Sequence, residues 1–277
     1  MHLLSDAAEG HVLERIRPTI GFFIVSSVVF PSMFASVVCT PALAGQPLET
    51  ETARLPEQGH GNVQLPVEFQ TSKAGQEFAV PLALEYGIFN RLELAIEPVL
   101  YTSIRPKNGP SASGFGDTEV TLTYLFSAES MAIPALAIAG EVKFPTTKNT
   151  IIGTGKTDYR VVLIASKRFG NFDLHGNLGY TFVGKPSGSG LGNIIDYAVA
   201  LEYEVNPRLT LMTEILGNTS SGGSDNPLST NQEAAANEVI GLVGFEYRPN
   251  ASLGFSFGVT YDNNNAILFR PGVTFRF

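Results

Sequence analysis

From residue 62 to the end, the chain repeats one pattern: apolar side chains at every second position, in runs of about ten residues separated by turn formers. Val63, Leu65, Val67 and Phe69 alternate with Gln64, Glu68 and Gln70, and Val120, Leu122, Tyr124 and Phe126 alternate with Glu119, Thr121 and Thr123. A helix turns about 100° per residue and would scatter those acids around its circumference, whereas a strand collects them on one face. Twelve such runs follow one another to Phe277. The spacing therefore predicts an all-β chain of about twelve antiparallel strands.

The connections fall into two classes. Gly87–Asn90, Ser127–Ser130, Gly170-Asn171, Asn206–Arg208 and Arg248–Asn250 are short, while Ser103–Gly114, Pro145–Lys156, Gly184–Gly192 and Gly217–Asn237 are long. Short turns at one end, long loops at the other and an even strand number predict a closed transmembrane barrel with periplasmic turns and extracellular loops. Closure is required because lipid offers no partner to a free strand edge. The apolar face must then point outward. Aromatic residues support this polarity. Tyr86, Tyr124, Phe126, Phe169, Phe172, Tyr203, Phe245 and Tyr247 fall at the short-turn ends, and Tyr101, Phe144, Tyr159, Phe182, Tyr197, Tyr261 and Phe269 towards the loops. Two levels of rings around an aliphatic middle match two membrane interfaces.

The N-terminal part reads differently. Arg15 and Arg17 precede the apolar run 20–30, and small residues end at Ala42-Leu43-Ala44, the layout of a signal peptide over residues 1–44. Residues 45–61 are polar, with Pro47 and Pro56, and read as a periplasmic linker before a barrel over residues 62–277. Cys39 is the single cysteine and lies in the leader, so a disulfide framework is excluded. With 18 basic against 26 acidic residues the net charge is −8, which excludes a basic nucleic-acid surface.

If the apolar face meets lipid, the polar face lines the lumen. The candidates for that lining are Glu68, Glu85, Glu93, Glu97, Asp117, Glu119, Glu141, Asp173, Asp196, Glu202 and Glu214, with Lys143, Arg160, His175 and Arg270. Acids exceed bases there, so a narrow twelve-strand lumen would favour cations. The competing reading is a stabilising network of ion pairs. Asp173 and His175 share one face of a strand and offer an acid and imidazole for a hydrolase, but no Gly-x-Ser-x-Gly elbow accompanies them. Neither His/Cys spacing nor an EF-hand loop is present, so neither metal nor cofactor is expected. The run Glu233–Ala236 in the longest loop is read as a short helical turn. Prolines 66, 81, 98, 134 and 271 interrupt the strands, with Pro98 and Pro271 the deeper ones and the stronger candidates for breaks in the wall.

Several local runs carry a family likeness. Gly114-Phe115-Gly116-Asp117, Val142-Lys143-Phe144-Pro145-Thr146, Gly153-Thr154-Gly155 with Asp158-Tyr159, and Asn177-Leu178-Gly179-Tyr180 resemble the outer-membrane barrel family named for the MetA pathway of phenol degradation. The likeness runs from about Leu82 to the C-terminus. This chain reads Pro145-Thr146-Thr147 where the family tends to read Pro-Thr-Gly. The resemblance implies an outer-membrane transporter or channel for small molecules, with hydrophobic or aromatic solutes among the candidates. The end Val273-Thr-Phe-Arg-Phe277 is similar to the C-terminal signature of outer-membrane proteins, which implies that Phe275 and Phe277 are read by the barrel assembly machinery. The expected partners are thus outer-membrane lipid, that machinery and a small solute. A barrel hydrolase and a structural or adhesive barrel remain the alternatives, and the oligomeric state is left open.

Overall fold

The computed structural model describes residues 46–219 and 237–277. The leader, and the run at Glu233–Ala236, lie outside the described residues. Fifteen strand segments are present: β1 (Gly61–Pro66), β2 (Glu68–Thr71), β3 (Gly75–Pro81), β4 (Ala83–Phe89), β5 (Leu92–Pro106), β6 (Ala112–Gly114), β7 (Thr118–Ser127), β8 (Ala135–Phe144), β9 (Asp158–Phe169), β10 (Phe172–Phe182), β11 (Ile194–Asn206), β12 (Leu209–Asn218), β13 (Glu238–Tyr247), β14 (Leu253–Asp262) and β15 (Ile267–Arg276). β1 with β2 and β3 with β4 each form one stave broken at a single residue, and β6 only extends β5. The wall is a closed antiparallel barrel of twelve staves.

Closure is made by β15, which pairs with β14 on one side and with β1 and β2 on the other, with Val63 opposite Phe275 and Phe69 opposite Phe269. Because side chains alternate, a slip of one residue would turn every acid towards lipid, so the register is fixed by the pattern itself. The outward positions are exposed and apolar, Leu122, Leu163, Leu178, Val243 and Ile215 among them. The rings of both expected aromatic levels are exposed too, including Phe172 and Tyr203, whose centroids lie 4.7 Å apart. A soluble barrel would invert this distribution. Lipid is the solvent that satisfies it.

The breaks in the wall fall elsewhere than the sequence suggests. Pro98 and Pro271 lie inside the unbroken β5 and β15, whereas the staves break next to Pro66 and Pro81. The β1–β4 register ends at Gln64 opposite Ala83 and resumes between β2 and β3 at Glu68 opposite Ala79. Extending that register sets Pro66 opposite Pro81, two residues with no N–H to donate. At Pro98 and Pro271 only the donor is lost, and their carbonyls still accept, from Leu82 N–H at 3.0 Å and Val67 N–H at 2.8 Å.

Candidate lumenal site

Much of the segment read as a periplasmic linker does not hang below the barrel. Gln46, Leu48, Glu49, Thr50, Glu51, Thr52 and Ala53 are buried inside it, with Leu48 and Thr50 fully enclosed. The segment enters from the turn end and runs up the lumen as a plug. Two glycines seat its head: a Cβ on Gly258 would come 2.6 Å from Pro47 Cβ, and one on Gly244 2.5 Å from Pro47 Cγ. Small inward side chains seat its foot, where Ala53 packs on Ala135, Ala137, Ala139, Val162 and Ile164.

Extended backbone in a lumen must find partners for its amides, and here the wall side chains supply them. Glu51 N–H donates to Asn177 Oδ1 at 2.6 Å while Asn177 Nδ2 donates back to Glu51 O at 2.8 Å, the two-bond pattern of a strand ladder made by one side chain. Glu49 and Thr50 N–H both donate to the Glu214 carboxylate, and Ala53 N–H donates to Ser166 Oγ at 2.9 Å.

Arginines tie the plug to the wall at three depths. Arg270 donates to Pro47 O at 3.0 Å, pairs with Glu49, and sets Nε 2.9 Å from Glu68 Oε1. Arg160 grips Asp196 with two bonds, at 3.1 and 2.6 Å, and reaches Glu51 at 2.9 Å and Glu141 at 3.0 Å. Arg54, from the plug itself, grips Asp173 with bonds of 3.1 and 2.8 Å and pairs with Glu129 in a periplasmic turn. Burial pushes the Glu129 carboxyl up, but the Arg168 N–H, Lys167 and Arg54 outweigh it and hold the group below the usual carboxylate range.

The other candidates take these places. Glu85 is buried and accepts from Asn62 at 2.7 Å and Gln64 at 2.9 Å. Glu93 and Glu97 are buried on β5, with Glu119 directly opposite Glu97 on β7. Asp117 precedes β7 and accepts from Thr147 N–H at 3.1 Å, so it anchors a loop; Thr146, in the departing Pro-Thr-Thr run, donates to Gly116 O at 2.9 Å beside it. Lys143 pairs with Asp158 at the same rim.

Asp173 and His175 share a face but are not partners. Two arginines, Arg54 and Arg168, hold Asp173. His175, fully buried, instead has Nδ1 2.8 Å from Ser166 Oγ and Nε2 3.4 Å from Glu202 Oε1. The Ser166 contact was missed because it joins adjacent strands. The same Ser166 Oγ accepts from the plug backbone and lies 3.2 Å from Thr52 Oγ1, so the trio is the seat of the plug's foot.

A barrel with an apolar exterior, a polar interior and an internal plug defines an outer-membrane β-barrel. Residues 98–277 match the family model described as "Putative MetA-pathway of phenol degradation", and the chain belongs to that family. Fold and family together place it in the bacterial outer membrane. Among solved structures it is similar to the COG4313 outer membrane channel from Pseudomonas putida F1, at 17% identity over 81% of this chain and 97% of that one, TM-score 0.58. It is similar also to the NanC porin, at 13% identity over 78% of this chain and 100% of that one, TM-score 0.57. A third is the KdgM porin in complex with disordered oligogalacturonate, at 12% identity over 78% and 99%, TM-score 0.53. These likenesses concern the fold. No curated protein sequence matches the chain.

Proposed function

We propose that the protein is a passive channel for small molecules, with a lumen narrowed by the plug and biased by its acids. The observation that carries this reading is the cleft between the plug and the wall of β5, β7 and β8, lined by Glu51, Thr52, Glu93, Glu97, Thr121, Thr123 and Glu141. Polar side chains line it, and an acidic constriction attracts cations and repels anions. The lining roles of Glu68, Glu85, Glu119, Asp196, Glu202, Glu214, Arg160 and Arg270 belong to this proposal, as do removal of residues 1–44 on export and recognition of Phe275 and Phe277 by the assembly machinery.

The unpaired stretch between Leu65–Val67 and Val80–Leu82 favours hydrophobic or aromatic solutes among those carried. A wall with two opposed prolines has fewer ladder bonds to break, and an apolar solute leaving sideways would avoid the acids altogether. The class of solute implied by the family name points the same way.

The test is single-channel conductance with reversal potential under a salt gradient, on the chain from Gly45 refolded into planar bilayers. Small steps with cation preference are expected, and Glu97→Gln with Glu119→Gln should reduce that preference. A folded barrel that passes no ions overturns the open acidic path, and one whose selectivity ignores both substitutions overturns the lining assignment.

A further inference from the structure

Most buried acids of the lumen have a cation at hand, but the β5 wall is different. Glu93 and Glu97 are each 6% exposed, stand on the same face of β5 with Ala95 between them, and have no cation within ion-pair distance among the described residues. Oε1 of Glu97 is buried with no hydrogen-bond partner among the described residues. Glu97 and Glu119 also oppose each other directly across the ladder, a like-charge arrangement that works against the sheet. Arg160 reaches the far side of this cleft, and it is shared among Glu51, Glu141 and Asp196.

Buried carboxylates in this state must find a counter-charge or take up protons. The cleft into which Glu93 and Glu97 point also presents the side chains of Thr52, Thr121 and Thr123, whose hydroxyl oxygens can accept as well. The cavity is small, about 20 Å³, which holds little more than one water-sized group. Among the described residues no three acids or imidazoles converge closely enough to hold a metal ion directly. That spread disfavours Ca²⁺, which gathers 6–8 oxygens at about 2.3–2.6 Å, and Mg²⁺, which demands six at about 2.0–2.1 Å. It suits a singly charged group that accepts a looser ring of oxygens.

We infer that the cleft between the plug and the β5–β8 wall is a binding site for a compact monovalent cation, either an alkali ion or the ammonium head of a small amine, held by Glu93 and Glu97 with the threonine oxygens. The site deepens the acidic-lumen reading but does not depend on conduction. An occupied site also gives Glu97 a counter-charge of its own, whereas Glu119, opposite it on β7, already faces Lys143 on β8.

The test uses binding, so that its failure is separate from failure of the channel reading. The chain from Gly45, refolded in a neutral detergent at pH 7.5, is unfolded by heat at constant ionic strength while the bulky N-methylglucamine cation is replaced by K⁺ or by methylammonium. A ligand that binds only the folded state raises the midpoint in a saturable way. Both small cations should do so, and Glu97→Gln should weaken the apparent affinity about tenfold, the effect of losing roughly 1.4 kcal/mol. Glu57→Gln, at an exposed carboxyl outside the cleft, should leave the affinity unchanged. Glu97→Gln removes a repulsion and should fold; Glu93→Gln provides a second variant with the same expected loss. Response to K⁺ alone would assign the site to alkali ions, and response to methylammonium alone to amines. No dependence on either cation, an equal dependence in Glu97→Gln, or a response to Ca²⁺ only would overturn the proposal. Binding without conduction would sink the channel and leave the site standing.

Discussion

The lumen has two unlike walls. On the side of β9 to β15, several buried acids have a basic partner: Arg270 meets Glu49 and Glu68, Arg276 meets Glu246, His175 meets Glu202, and Arg54 and Arg168 share Asp173. On the side of β5, Glu93 and Glu97 are buried on the lumenal face without such partners among the described residues. Both walls alternate in the same way and both fold from the same kind of strand. The difference is where the plug leans. It sends its backbone amides and Arg54 to Glu214, Asn177, Ser166 and Asp173, all on or beyond β9. The plug adds to the charge matching where its own Glu49, Glu51 and Arg54 meet Arg270, Arg160 and Asp173.

The largest expected effect breaks the matched wall. Arg270→Met leaves Glu49 and Glu68 buried without their guanidinium, and removing one partner of a buried pair costs about 3–5 kcal/mol. Urea unfolding of the refolded barrel should show that loss, while Glu97→Gln measured without small cations should be neutral or slightly stabilising. Equal losses at both positions would erase the distinction between the walls.

A smaller effect tests the seat of the plug's head. Gly244 and Gly258 lie opposite each other on β13 and β14, and alanine at either would collide with Pro47. Overpacking costs about 1–3 kcal/mol, and here the plug can yield more easily than the wall. Gly258→Ala should therefore make the bonds at 46–54 susceptible to added protease while the barrel stays folded. Protection equal to that of the unaltered chain would mean that the head is not held there. At the foot, Ser166→Ala removes the acceptor of Ala53 N–H and a partner of His175, and about 1 kcal/mol is expected. Amide exchange of Ala53 would report it.

How much of this was legible follows from range. Strand identity, the inward direction of the acids and the two aromatic levels rest on alternation within ten residues, and lipid outside the barrel decides which face is which. The plug rests on contacts of another kind. Glu49 meets Glu214 and Glu51 meets Asn177 across more than a hundred residues, and Gln46–Arg54 has no periodicity to announce a place in the wall. A short polar segment with prolines reads as a linker for that reason. Inward glycines at 244 and 258 were the available signal: a lumen that avoids side chains at one level leaves room for a guest. The wall breaks were missed similarly, since depth in the strand favoured Pro98 and Pro271, whereas Pro66 and Pro81 matter because the register sets them face to face.

The smallest effect separates the foot of the plug from the rest by pH. Glu129 is on the 128–134 turn and joins Arg54 of the plug and Lys167 of β9. Its carboxyl is held below its ordinary value of 4.5, so the folded state binds fewer protons there than the unfolded chain does. The contribution is then complete above the ordinary value and fades as pH falls through the lowered one. The group is partly exposed, and such pairs are worth about 0–1 kcal/mol. Below about pH 4 the foot should loosen first, with protease cleavage near Arg54 rising while the Arg270 clasp holds the head. Glu129→Gln should show that looser foot at neutral pH and lose the acid-dependent step. If acid instead releases head and foot together in both forms, the plug moves as one body and the rim clasp has no separate role.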